Sequence, residues 1–267
     1  MHIDVDTEIT YYTPEERVAP DVRPDFNALP LKNWPVTVHD LRASGPTSLD
    51  AEGFAFLESP TAVRDFRDLD ELDSVYAEEM EAFIREVTGA TETRLAGKPG
   101  LRSSAPETKR GASMMTGSFV HADVSDLGAQ DFLERYVGED ADRWRGHRFA
   151  LFNVWRSFSD APQDVPLGLS DVRSVDPVDA QLCDITLPVR DGGERTWETI
   201  AYVHNPTHDW YYASEMKRDE AYVFRTFDSG GAQRRPVAHS AFVNPTVPDD
   251  VPPRESVEIR VFALFED

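Results

Sequence analysis

The chain has 267 residues, 49 acids against 27 lysines and arginines, a net charge of −22, and apolar residues making up 40% of it. That length and apolar content suit one large globular domain and argue against disorder, while the negative field repels phosphate backbones and anionic membrane surfaces, so nucleic acid is not expected as a partner. No apolar run approaches the roughly 20 residues that span a bilayer, and the acidic, proline-dotted start is unlike a signal peptide. With a single cysteine, Cys183, these features place the protein in the cytoplasm. The acidity is read as a solubility habit, with a halotolerant source as the alternative.

Residues 1–70 hold short apolar pieces such as Ile3-Asp4-Val5 and Val36-Thr37-Val38 between prolines and acids, which predicts an N-terminal arm and irregular region of extended segments and turns. Over residues 71–90 the apolar positions Leu72, Val75, Tyr76, Met80, Phe83, Ile84 and Val87 recur every three or four residues. This predicts an amphipathic helix, with acids before it and Gly89 as its stop, bracing the outside of a sheet. The stretch 97–118 is polar and dotted with Gly and Ser, and reads as a lid or a plain surface excursion. A short helix is predicted for 130–136.

From there on the signal is mainly β. Strands are predicted at 148–158, 182–187, 196–204, 210–212, 221–227, 239–243 and 256–265, separated by turn formers such as Gly192-Gly193 and Pro252-Pro253. Many short strands at this spacing indicate a sandwich or barrel, so residues 91–267 are expected to form a jelly-roll core buttressed by helices.

Three separated segments suggest chemistry. In extended backbone, alternate side chains share a face, so His121 and Asp123 project together about 7 Å apart, a two-point grip for a metal. His239 offers a third ligand from more than a hundred residues later. Two imidazoles and one carboxylate hold Fe(II) on one face and leave positions open for a bidentate 2-oxo acid and for O₂. Arg254 would clamp the distal carboxylate of 2-oxoglutarate, with Ser256 on the same face. Each motif alone is common: His2-Ile3-Asp4 repeats the first, and Arg42-Ala43-Ser44 and Arg102-Ser103-Ser104 repeat the last. Zinc on the same ligands is a rival. Glu258 and Arg260 share the parity of Ser256, so either they pair inside the barrel or a bulge turns the strand. The spacing of His204 and His208 around Asn205-Pro206 is not helical, and a zincin pattern fails.

The order of these blocks resembles a known family. Val120-His121-Ala122-Asp123-Val124-Ser125, Asn153-Val154-Trp155-Arg156, Pro166-Leu167-Gly168-Leu169-Ser170-Asp171 with Asp176-Pro177, Asn205 to Tyr212, Phe227-Asp228-Ser229 and Pro252 to Arg260 run collinearly over residues 70–265. They are similar to the AsaB/CmcJ-like hydroxylase/desaturase family of Fe(II)/2-oxoglutarate-dependent oxygenases. The resemblance implies a double-stranded β-helix of the jelly-roll, cupin-like kind, iron at His121, Asp123 and His239, and 2-oxoglutarate at Arg254 and Ser256. It implies oxidation of a small molecule of secondary metabolism, by hydroxylation or desaturation, with succinate and CO₂ as co-products. Two departures bear on substrate shape rather than on iron: Arg156 is followed by Ser157 where the family has Pro, and residues 100–115 lack the family's His- and Arg-containing run.

Asn153, Trp155, Arg156 and Tyr211 are the candidates for lining the site. Asn153 and Arg156 have opposite strand parity, so at least one lies away from the substrate. Trp210, Tyr211 and Tyr212 are read as core or as substrate wall. The competing functions are a metal-dependent, cupin-like hydrolase or isomerase that needs no 2-oxo acid, and a non-catalytic partner subunit of a biosynthetic enzyme. A homodimer, or a complex with a partner protein, stays open at this stage.

Overall fold

The computed structural model describes residues 4–15, 18–19, 21–106, 114–188, 193–231 and 234–266. The strands are β1 (Val5–Tyr12), β2 (Leu31–Asp40), β3 (Phe54–Glu58), β4 (Glu92–Leu95), β5 (Gly100–Ser103), β6 (Met114–Met115), β7 (His121–Ala122), β8 (Arg148–Ser157), β9 (Leu167–Ser170), β10 (Ala180–Pro188), β11 (Glu194–Tyr202), β12 (Trp210–Tyr212), β13 (Glu220–Asp228), β14 (His239–Ala241) and β15 (Glu255–Phe265). One sheet runs β1-β2-β12-β9-β14-β7-β11-β10, and the other β3-β13-β8-β15-β5-β6 with β4 also on β15. The two face each other, because Leu167 and Leu169 of the first pack with Trp155, Tyr222 and Phe224 of the second. This is the expected jelly roll.

The strand period of two sorts the second sheet into faces. Along β8, Ala150, Phe152 and Val154 point outward with Val257, Ile259, Val261 and Ala263 of β15, and the helix Ala77–Thr88 covers them with Met80 and Ile84. Burying each large aliphatic side chain there contributes about 1.5–3 kcal/mol. The helix follows a five-residue π turn, Leu72–Tyr76, which keeps Leu72 and Tyr76 on the buried side. It ends where Gly89 turns left-handed at φ 71°, its N–H donating to the Arg85 carbonyl at 3.0 Å. The helix expected over 71–90 is therefore present, interrupted by one wide turn.

The N-terminal region differs from the expected arm. β1 and β2 pair in register from Val5–Val38 to Tyr12–Leu31, and β2 joins β12 in parallel, so this hairpin is part of the first sheet. β3 edges the second sheet on β13. The cause is side-chain alternation: Val5, Ile9 and Tyr11 bury one face of β1 against Val38 and Trp210. Of the stretch 97–118, residues 107–113 lie outside the described residues, as do His2 and Ile3 of the duplicate His-x-Asp.

The second main helix, Asp126–Tyr136, starts on a Ser125 cap whose hydroxyl accepts from the Gly128 N–H at 3.1 Å. It lies hard against β11, where a Cβ added at Gly128 would stand 2.2 Å from the Glu198 carbonyl oxygen. Gly128→Ala is thus expected to destabilise the fold by about 1–3 kcal/mol despite alanine's better helix propensity. A thermal melt should show a drop of about 3–10 °C; an unchanged melting temperature would contradict this close approach.

Candidate metal centre

β14 brings His239 directly opposite His121 in an antiparallel pair, and their ring centroids are 4.3 Å apart. β7 ends at Ala122, and the chain then turns into the Ser125 helix cap, which swings Asp123 beneath both rings. The result gathers one ligand atom each from His121, Asp123 and His239, all within 4.8 Å of one another, the only such group of three among the described residues. His239 Nε2 stands 4.0 Å from Asp123 Oδ1.

The orientation of each ligand is prepared by its neighbours. His121 Nδ1 meets the Phe119 carbonyl at 2.7 Å and His239 Nδ1 the Val237 carbonyl at 3.1 Å. A carbonyl only accepts, so each ring carries its proton on Nδ1 and presents Nε2 with a free lone pair. Burial and the neighbouring His239 push the His121 pKa down to about 4, which keeps this ring neutral and ligand-ready. Burial would raise the Asp123 carboxyl, but the charge of Arg260 and its hydrogen bond hold it well below the usual carboxylate range. Its Oδ1 accepts from Arg260 at 2.8 Å and its Oδ2 from the Asn153 amide at 2.5 Å. The backbone around it is pinned too, by Trp197 Nε1 on the Asp123 carbonyl at 2.8 Å and Thr199 Oγ1 on the Ala122 carbonyl at 2.7 Å. The donor set, two imidazoles and a carboxylate on one side of a cavity, fits a divalent iron and leaves the cavity side open.

That cavity, of about 380 Å³, is also lined by Arg254, Trp155, Phe224, Glu258 and Arg260. Arg254 is 2% exposed and Ser256 wholly buried. The Arg254 guanidinium donates through Nε to the Val165 carbonyl at 2.7 Å and through Nη1 to Ser256 Oγ, and it lies 5.2 Å over the Trp155 ring. Among the described residues no carboxylate forms an ion pair with it, and burial pushes its pKa down to about 10. A buried guanidinium without an anion is a costly arrangement that an incoming carboxylate would relieve.

Glu258 and Arg260 do share the inner face with Ser256, and no bulge intervenes there: β15 stays in register with β8 from Ser256–Ser157 to Phe265–Arg148. Arg102 donates to Glu258 at 2.6 Å, and Arg260 reaches Glu258 at 3.5 Å as well as Asp123. Of the site-lining candidates, Trp155 is in the cavity wall, while Asn153 is not and instead donates to Asp123. Arg156 does not line it. Its parity matches Phe152 and Val154, so it emerges on the outer face, where it donates to the Ser59 carbonyl at 2.8 Å and lies 5.2 Å over the Tyr76 ring. Tyr211 is also elsewhere, its hydroxyl on Asp209 at 2.8 Å and its ring beside Phe54 and His39. His208 belongs to a buried chain, with Tyr11 Oη at 3.0 Å and Asp179 at 3.2 Å. Sequence reasoning missed Arg260 as a partner of Asp123 and Arg102 as a partner of Glu258. Parity alone marked Arg260 as inward-facing, but no spacing rule pairs β15 with the turn after β7.

Replacing Asn153 by leucine, close to it in size, is expected to lower Mn(II) affinity about 10- to 100-fold, the usual effect of removing a group that orients a ligand. Calorimetric titration checks this, and an unaltered affinity would reduce Asn153 to filler.

Comparison with known proteins agrees with this geometry. A family model described as an oxidoreductase/YMDC permease-like domain matches residues 4–264. The hydroxylase/desaturase efuI of Hormonema carpetanum is 32% identical over 257 residues, covering 87% of this chain and 84% of that protein. The Fe(II)/2-oxoglutarate-dependent dioxygenase nvfI of Aspergillus novofumigatus is 31% identical over 245 residues, covering 88% and 84%. The structure titled iron and alpha-ketoglutarate-dependent endoperoxidase NvfI superimposes with a TM-score of 0.82 at 25% identity, covering 99% of both chains. The two sheets, the cluster at His121, Asp123 and His239, and these likenesses over most of the chain make one statement: the chain belongs to the hydroxylase/desaturase family of Fe(II)/2-oxoglutarate-dependent dioxygenases.

Proposed function

We propose that this chain binds Fe(II) through His121, Asp123 and His239, holds 2-oxoglutarate against Arg254 and Ser256, and oxidises a small molecule of secondary metabolism in the same cavity. The observation that carries this is the pairing, in one cavity, of a metal-shaped donor set with a buried arginine that forms no ion pair among the described residues. With iron, 2-oxoglutarate and O₂ supplied, such a centre couples decarboxylation of the 2-oxo acid, yielding succinate and CO₂, to removal of hydrogen from an unactivated carbon, with hydroxylation or desaturation as the outcome.

The chain's own residues do the positioning. Arg254 offers a planar fork that matches a carboxylate, and Ser256 fixes one arm of it. Trp155 backs the guanidinium and, with Phe224 against His239 at 4.9 Å between ring centroids, keeps water from the far wall. The dry wall strengthens every charge interaction made there. Residues 4–264 act as one domain on this reading, since one family model spans them. A cytoplasmic setting is supported by the buried free thiol of Cys183, and none of the described helices is long and apolar enough to cross a membrane.

The purified chain by itself, given Fe(II), should convert 2-oxoglutarate slowly to succinate without substrate. His121→Ala and His239→Ala are expected to abolish this conversion, followed by succinate analysis; a fully active His239→Ala would remove that residue from the ligand set. Arg254→Ala should raise the 2-oxoglutarate requirement about 10- to 100-fold, the worth of a charge-assisted pair. Indifference to that change would favour a metal-dependent hydrolase or isomerase that uses no 2-oxo acid.

A further inference from the structure

Both oxygens of Asp123 are engaged, and by unlike groups. Oδ2 accepts from the neutral Asn153 amide at 2.5 Å, whereas Oδ1 accepts from the Arg260 guanidinium, a cation, at 2.8 Å. Asn153 and Arg260 are register partners across β8 and β15, so one cross-strand pair supplies both contacts. Oδ1 is also the oxygen that stands 4.0 Å from His239 Nε2, the nitrogen whose lone pair is free for a metal. Arg260 thus occupies the carboxylate oxygen that faces the histidine's ligating atom.

The hold is loose. Arg254 is fixed twice, through Nε on the Val165 carbonyl and Nη1 on Ser256. In Arg260, by contrast, Nε is buried with no hydrogen-bond partner among the described residues, and Nη2 makes the contact to Asp123. The same Nη2 stands 3.5 Å from Oε1 of Glu258, two residues earlier on the same face of β15 and in the wall of the same cavity. At that distance the second contact is beyond a good hydrogen bond. Glu258 accepts from Arg102 at 2.6 Å, but a carboxylate has about four acceptor positions and can take a second donor.

We infer that Arg260 is a stand-in cation: it neutralises Asp123 in the metal-free protein and moves to Glu258 when a divalent ion takes Oδ1. This inference rests on the metal site proposed above, but it concerns loading and does not require turnover. A divalent ion and a guanidinium on one oxygen repel each other, and the repulsion is strong where water is scarce. Asn153 carries no charge, so it keeps its place on Oδ2. A buried carboxylate with no cation beside it is costly in its turn, and Arg260 removes that cost before the metal arrives. The two groups that brace Asp123 therefore act in opposite senses on loading: Asn153 favours it and Arg260 opposes it. The move is a turn of one side chain whose Nη2 already lies within 3.5 Å of both carboxylates, so β15 keeps its register.

The test titrates the whole chain calorimetrically with redox-inert Mn(II), as wild type, Arg260→Met, Arg260→Gln and Arg260→Lys. Loss of the charge is expected to tighten Mn(II) binding at least about tenfold in the Met and Gln variants, the scale of one close charge contact. Lysine keeps the charge and should stay within about threefold of wild type. Glutamine retains a donor for Asp123, so it answers the question if the Met variant fails to fold. Without metal, Arg260→Met should melt below wild type, and Mn(II) should raise its melting temperature by more than it raises that of wild type. Glu258→Gln removes the receiving carboxylate: it should weaken Mn(II) binding about tenfold in the wild-type background and distinctly less in Arg260→Gln. Unchanged or weaker binding in the uncharged variants overturns the inference, since Arg260 would then only orient Asp123. So does a tightening in Arg260→Lys equal to that in Arg260→Gln, or an equal loss from Glu258→Gln in both backgrounds. His239→Ala separates this from the metal site itself. If wild-type binding survives that change, or if no variant binds Mn(II), the ligand assignment fails and the inference with it. Binding that depends on His239 and ignores Arg260 removes the inference alone and leaves the metal site standing.

Discussion

The antiparallel pairing of β14 with β7 is the constraint on which the site depends. It sets His239 across from His121 in adjacent strands, with both side chains on the cavity side. Because the strand period is two, a slip of one residue would send one imidazole to the opposite face and dissolve the cluster. β7 is only two residues long, so it does not hold this register by itself. β11 fixes it from the other side through Ile200–Ala122 and Ala201–His121, and Thr199 ties its hydroxyl to the Ala122 carbonyl. β9 does the same for β14 over Leu167–Leu169. The short, well-anchored strand then frees Asp123 to leave the ladder and turn under the rings.

The second sheet contributes charge rather than ligands. Its inner face carries Asn153, Ser256, Glu258 and Arg260 at alternate positions of β8 and β15, with Arg254 just before β15. Arg102, Glu258, Arg260 and Asp123 form a chain of alternating sign that ends at the metal centre. Alternation lets buried charges compensate one another. Arg254 stands outside that chain: it is buried with a carbonyl, a hydroxyl and an indole face for company. Among the described residues it forms no ion pair, with Asp164 the nearest carboxylate to act on it, and it is the cation proposed to hold the 2-oxo acid.

How much of this could be read beforehand differs from residue to residue. The helix over 77–88 and the strands from 148 onward other than β9 (Leu167–Ser170) follow from local periodicity, which depends only on near neighbours, and their boundaries shift by a few residues in the structure; β9 is too short to signal itself. The ligand set was legible because three weak motifs occur in one order, and because collinear blocks resemble a family. Parity correctly split Asn153 from Arg156 without saying which was which, since an isolated strand does not know which of its faces a helix will cover. Tyr211 was misplaced for a related reason: a short aromatic strand packs equally well toward core or cavity. The N-terminal segments appeared to be an arm because each is too short to signal a sheet alone, and their pairing partners, β2 with β12 and β3 with β13, lie well over a hundred residues away.

By itself, then, the amino-acid sequence determined which side chains alternate together on each strand, where the long amphipathic helix stops, and which residue types were on hand for iron and a 2-oxo acid. These are consequences of backbone geometry and side-chain chemistry within a few residues. Only the tertiary structure decided that Asp123 is braced by Arg260 and Asn153, that Arg156 belongs to the helix-covered face, and that Arg254 is buried with no ion pair among the described residues. Each of those facts is a meeting of strands distant in the chain, and the register of such meetings is set by the packing of the two sheets as a whole.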